Sequence, residues 1–223
     1  MKILVFDDNK INQAAARAQL GKDHDLTVVG TYDQAQELLK PQYDYKKASA
    51  ALKEQFGDFS PYRSNDEAMK ARYFAAAKVA DEQVTTYPDF DVVLTDLLVP
   101  ASEQAQGSKG LEFAGEEMPV GIFIGLLAAV KGHAKFVAVF TDSDHHSHPA
   151  SACFDVFNEG ECKPTLFTVG SSKVLLSNTR NWVNQFDPKD LGKALKYEEC
   201  SDRTDTIRAK NWATLLEYLI SAK

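Results

Sequence analysis

The stretch ILVFDDN, residues 3–9, decides how the chain is read. Ile3, Leu4, Val5 and Phe6 form a run without polar interruption, which marks a short strand buried on both faces, as strands of a parallel sheet are. Asp7 and Asp8 follow at once, so two acids stand at the carboxyl end of that strand. INQAAARAQL, residues 11–20, is Ala-rich at helical spacing, begins near Asn9 or Lys10 and stops at Gly21, which predicts a helix directly after the strand. LTVV, residues 26–29, predicts a second strand, and Asp33 ahead of AQELL is a candidate N-cap for a second helix.

Working outward, the alternation resumes at DVVLTDLL, residues 91–98, continues in an apolar helix over 120–130, and returns to strand at FVAVF, residues 136–140. Residues 149–158 predict a helix with Pro149 at its first position after Ser147 or His148. Residues 165–169 and 174–176 flank Gly170-Ser171-Ser172-Lys173 and predict a hairpin. A closing amphipathic helix is predicted over 211–220, with Trp212, Leu215, Leu216, Leu219 and Ile220 on one face. Three stretches interrupt the pattern: a helical insertion at 41–88, with helices at 48–56 and 66–83; a Gly-, Ser- and Glu-rich loop at 101–118; and a polar stretch at 180–208 before the last helix. Without them the remainder is close to the roughly 100–150 residues of one domain, so 1–223 is read as a single domain carrying insertions, with no separate output domain.

The composition is that of an ordinary globular protein: 223 residues, 44% hydrophobic and 26% charged. A net charge of −7 argues against a basic groove and against nucleic acid as a partner. Cys153, Cys162 and Cys200 make an odd count with no CxxC pair, so reduced thiols are expected rather than a disulfide framework. The start lacks the long apolar region of a secretory signal, and the apolar stretch over 120–130 is too short to cross a bilayer. The expectation is a cytoplasmic protein without a membrane partner.

Acids gather at three strand ends: Asp7-Asp8, Asp96 within VLTDLLVP, and Thr141-Asp142. In an open parallel sheet these ends border the ligand crevice. Like charges brought together raise one another's pKa values, and a hard divalent cation relieves that cost. Magnesium takes oxygen ligands and commonly bridges carboxylates to a phosphate, which makes it the expected cofactor. An aspartate beside such a cation can itself accept a phosphoryl group. Asp96 is the candidate acceptor, because an ionised side chain inside an apolar strand needs a reason, and Pro100 fixes the loop after it.

At these residues the chain resembles a known family, the response-regulator receiver of two-component signalling, with its CheY-like fold. ILVFDDN resembles the family's opening strand and acidic pair, FDVVLTDLLVP its phospho-acceptor strand with Val99 where Met is usual, and KFVAVFT the strand ending in its switch hydroxyl. The resemblance implies a flavodoxin-like, doubly wound, five-stranded parallel α/β sheet. It implies Asp7 and Asp8 as metal ligands or their orienters, Asp96 as acceptor and metal ligand, the Leu98 carbonyl as a further metal ligand, and Thr141 as the hydroxyl that contacts the phosphoryl oxygen. The implied function is that of a phospho-acceptor signalling protein, with magnesium as cofactor. Its implied partners are a sensor histidine kinase or phosphotransfer protein and a downstream protein target, and its only chemistry is self-phosphorylation and dephosphorylation of the aspartate.

A receiver also carries a lysine at the end of its fifth strand. Lys163, in the dipeptide Lys163-Pro164, stands at about the expected distance after Thr141; Lys173 lies next to VLL; and a third option leaves Ser177-Asn178 in the lysine's place. No aromatic switch residue is evident before either lysine. These departures keep open a second reading, a phosphorylation-independent pseudo-receiver serving as a protein-interaction module. The run Asp142, Asp144, His145, His146 and His148 offers donors for a transition metal, or a polar loop that caps the helix at Pro149.

Overall fold

The computed structural model describes residues 1–104, 108–113, 115–143, 146–159, 163–178, 180–201 and 203–221. The chain divides into two compact units, Met1–Leu39 with Asp89–Lys223, and Lys40–Pro88.

In the first unit the run at residues 3–6 becomes β1 (Lys2–Phe6), followed by α1 (Lys10–Leu20), β2 (Asp25–Val29) and α2 (Tyr32–Leu39). Helix α1 starts where it does because the Asn9 side chain accepts the Ile11 N–H and satisfies one orphan donor of the first turn.

The smaller unit pairs α3 (Tyr45–Phe56) with α4 (Glu67–Val84) and closes its base with a two-residue ribbon, Gln42–Tyr43 against Thr85–Thr86. The first of these helices begins three residues earlier than the composition predicts. Asp44 caps it by accepting the Lys47 N–H at 3.0 Å, a signal that the change in composition does not carry.

The chain then re-enters the main sheet as β3 (Val92–Thr95), crosses through α5 (Gly121–Val130) and returns as β4 (Phe136–Phe140). The predicted hairpin is β5 (Leu166–Val169) and β6 (Ser172–Ser177), turning at Gly170, whose φ of +60° suits glycine. The sheet order is β5-β6-β4-β3-β1-β2, parallel throughout except where β5 pairs antiparallel with β6. The protein is therefore mixed α/β with a six-stranded, mostly parallel sheet rather than five parallel strands: the first arm of the hairpin adds an antiparallel edge.

Alternate residues of β1 point to opposite faces, and both faces are covered. Ile3 and Val5 pack with Ala15, Ala16, Trp212, Leu215 and Leu219, while Leu4 and Phe6 pack with Ala35, Leu39, Ile124 and Ala128. This explains why the strand reads as continuously apolar.

Three stretches differ from expectation. The helix expected over 149–158 is only Pro149–Ala152, followed by a 3-10 turn, Asp155–Phe157, and the strand Asn158–Glu159. Within 101–118 the described residues include a short helix, Ser108–Leu111, and a strand pair, Val99–Pro100 with Glu117–Met118. The polar stretch from residue 180 onward is structured. After a 3-10 turn it forms β7 (Val183–Asp187), β8 (Asp190–Ala194) and β9 (Ile207–Lys210), a separate antiparallel sheet ordered β8-β7-β9. Phe186 and Ala209 from it enter the core beside α1. Helix α6 (Trp212–Ser221) closes the chain, with Asn211 accepting the Thr214 N–H. No helix among the described residues is long and apolar enough to cross a membrane.

Candidate functional site

The strand order reverses at β1, which has β2 on one side and β3 on the other. Such a reversal leaves a crevice beyond the carboxyl ends of the strands. Asp7 follows β1 and Asp96 follows β3, and one carboxylate oxygen from each of Asp7, Asp8 and Asp96 lies within 4.8 Å of the others. Among the described residues this is the only group of three or more such side chains close enough to share a metal ion.

Each acid is held by local backbone. Asp7 is fully buried; its Oδ1 accepts the Asn9 N–H at 2.9 Å and the Asn12 Nδ2 at 3.4 Å. Its carbonyl accepts the Gln13 Nε2 at 2.7 Å, which ties the strand end to the first turn of α1. Asp96 Oδ1 accepts the Leu97 N–H at 2.7 Å. Helix α5 comes so close behind Asp96 that a Cβ on Gly121 would stand 1.6 Å from the Asp96 carbonyl oxygen. Gly121→Ala must push helix and strand apart, so it is expected to cost about 3 kcal/mol in urea unfolding, at the upper end of ordinary overpacking. A change of less than about 0.5 kcal/mol would show that this approach is soft.

The cation in the site comes from an unexpected place. Lys210, the last residue of β9, is fully buried, with its ammonium 2.8 Å from Asp7 Oδ2 and 2.9 Å from Asp96 Oδ2. Its Nζ also stands 5.4 Å from the ring centroids of both Phe140 and Trp212, within cation–π range. Lys210 is neither of the two lysines weighed from the sequence. Lys163 lies on a two-residue strand, Lys163–Pro164, paired with Asn158–Glu159 outside the six-stranded sheet. Lys173 pairs in register with Phe136 at the start of β4, the edge of the sheet opposite Thr141. The end of β6 leads into Asn178, whose Nδ2 donates to the Ser151 carbonyl and to Asp155 Oδ1. The sequence does hold a signal for Lys210: it ends the run IRAK directly before the cap of the closing helix.

A cavity of about 160 Å³ opens over the acids, lined by Asp8, Asn12, Asp96, Leu98, Thr141 and Asp142 among others. Thr141 follows β4, is buried, and its hydroxyl oxygen accepts the Ser143 N–H at 3.2 Å. The structure thus brings Asp7, Asp8, Asp96, Leu98 and Thr141 together. Of the downstream run, Asp144 and His145 lie outside the described residues, while His148 Nδ1 accepts the Ala150 N–H at 3.1 Å and caps the short helix Pro149–Ala152.

Burial pushes the Asp96 carboxyl up, to about 7, against the pull of Lys210 and with the help of the Asp7 charge. Burial and the neighbouring Asp7 likewise raise Asp8. Burial works to lower Lys210, but the charges of Asp7, Asp96 and Asp142 overcome it and hold the ammonium above its ordinary value. One ammonium thus faces three crowded carboxylates. All three offer hard oxygen donors, so the set fits a hard dication such as magnesium.

No protein-family model matches the chain, and no curated protein and no solved structure matches it. The functional reading therefore stands on the geometry.

Proposed function

We propose that this chain is a phospho-acceptor signalling domain of the response-regulator receiver type, taking a phosphoryl group on Asp96. The observation that carries the reading is the convergence of Asp7, Asp8, Asp96, Thr141 and a buried lysine on one crevice. The parallel strands, numbered among themselves, run 2-1-3-4-5, the order of flavodoxin-like doubly wound folds.

In this reading Asp7, Asp8, Asp96 and the Leu98 carbonyl would hold magnesium, whose charge would offset that of the acids and of a phosphoryl group. An ionised Asp96 oxygen attacks the phosphorus of a phosphohistidine or small phosphodonor. The bond to the donor nitrogen or oxygen breaks, and the displaced group leaves with its electron pair and is protonated. Lys210 stays within charge-assisted hydrogen-bond reach of Asp96 and compensates the added negative charge. Thr141, at the cavity wall, supplies a hydroxyl donor. A sensor histidine kinase or phosphotransfer protein is the donor partner, and a downstream protein reads the phosphorylated state.

Incubation with magnesium and acetyl phosphate, followed by mapping of hydroxylamine-sensitive acyl phosphate, tests the proposal. Label is expected on Asp96 and is lost in Asp96→Asn. A well-folded protein that takes no label under conditions that label an ordinary receiver overturns the reading. That result favours a phosphorylation-independent interaction module, a reading for which β6 already speaks, since SKVLLS holds no aromatic residue and does not end in lysine.

A further inference from the structure

Lys210 reaches the acids from a strand that has no hydrogen-bonded place in the six-stranded sheet. Sheet register, which fixes Asp7 relative to Asp96, does not fix the lysine. Something else must set its distance from two acids that precede it in sequence by 203 residues and 114 residues.

The hydrogen bonds around its main chain supply the answer. Asn12 Oδ1 accepts the Lys210 N–H at 3.1 Å, and Gln19 Nε2 donates to the Lys210 carbonyl at 3.2 Å. Asn12 and Gln19 are seven residues apart on α1, which places them on one face, two turns apart. The same two side chains reach further on both sides. Asn12 Nδ2 also approaches Asp7, and the Asn12 main-chain carbonyl accepts the Trp212 indole N–H at 2.9 Å. Gln19 Nε2 also donates to the Leu191 carbonyl, and its Oε1 accepts the Ala213 N–H at 3.2 Å. Asn12 is 3% exposed and lines the cavity.

We propose that Asn12 and Gln19 are positioning residues: from one face of α1 they bracket the main chain of Lys210 and hold its ammonium in reach of both Asp7 and Asp96. The inference rests on the receiver reading for its effect on phosphoryl transfer, but not for its effect on the lysine. Helix α1 begins immediately after the acidic pair, so a single rigid element carries the acids at its start and the lysine's supports along its side. Two separately paired sheets are thereby held to one geometry. Misplacement by about 1 Å is enough to cost roughly 100-fold in a transfer that depends on alignment.

A double-mutant cycle tests this. Asn12→Ala, Lys210→Met and their combination are compared for the rate of Asp96 labelling by acetyl phosphate with magnesium, and for the unfolding equilibrium constant. If Asn12 acts through Lys210, Asn12→Ala slows labelling about tenfold alone and less than about twofold when Lys210 is already Met; the unfolding constants show the same non-additivity. Equal effects in both backgrounds overturn the proposal. Where no variant takes label, the receiver reading fails and the unfolding cycle alone decides the bracket. Should Lys210→Met not fold, amide exchange decides: in Asn12→Ala the Lys210 N–H exchanges at least about tenfold faster while that of Val5 in β1 is unchanged, and an unaltered Lys210 rate refutes the bracket.

Discussion

Lys210→Met is expected to destabilise the magnesium-free protein by about 3–5 kcal/mol at pH 8, a large part of the whole stability of a domain. The side chains are similar in length and the methionine fills the space between Phe140 and Trp212, so lost packing contributes little. What remains is electrostatic. Asp7 and Asp96 are buried, and each has one oxygen paired with the same ammonium at 2.8 and 2.9 Å. Removing one partner of a buried ion pair leaves the other uncompensated in a medium that solvates charge poorly, which costs far more than the intact pair contributes. A divalent cation that binds the acids should restore part of the loss, and sodium at equal ionic strength should not. Denaturant titration with and without magnesium measures both effects. A loss under about 1 kcal/mol would show that water reaches the acids when the lysine is gone, and that the triad is less enclosed than its geometry indicates.

Why this lysine escapes a reading of the sequence, while the acids do not, follows from how each is delivered. Asp7 and Asp96 end or interrupt apolar strand runs, so a local pattern places them at the same edge of a parallel sheet. Lys210 ends IRAK, a four-residue strand with little apolar content, in a segment where VNQFD and DLGKA also read as polar. Two of those strands, β8 and β9, lie against α1, and nothing in their periodicity tells which sheet they join. Their partner choice is tertiary information, and the position of Lys210 is set by Asn12 and Gln19 from almost 200 residues away. The hairpin around Gly170 was visible through its turn residues. That its first arm would pair in the main sheet, antiparallel at the edge, was not. The start of α3 shows the same division on a smaller scale, since a single Asp44 cap moves a helix boundary that composition draws later.

Acidification from pH 8 to 5.5 is expected to stabilise the magnesium-free protein through Asp96, by about 2 kcal/mol. Burial holds the folded-state pKa of Asp96 near 7 against an ordinary 3.8. Between these values the folded protein keeps a proton that the unfolded chain releases, so stability falls as pH rises through the window and is lowest above about 7. The full window is worth on the order of 4 kcal/mol, at about 1.4 kcal/mol for each pH unit. Asp8, also raised, acts in the same direction. Lys210 remains charged throughout and adds no slope. His133 opposes the trend, because burial lowers its pKa and acid therefore favours the unfolded chain. Comparison with Asp96→Asn removes these common contributions. Without magnesium the variant should exceed the wild type in stability at pH 8 and lose that advantage as pH falls toward 5.5. Saturating magnesium should invert the dependence, since a bound cation favours the ionised acids and acid then expels it. The measurement is a denaturant midpoint for both proteins at several pH values, with and without the metal. A wild-type-to-variant difference that stays constant with pH would mean that Asp96 is already ionised when the site holds only Lys210, and that a single buried ammonium suffices for the acids that the crevice brings together.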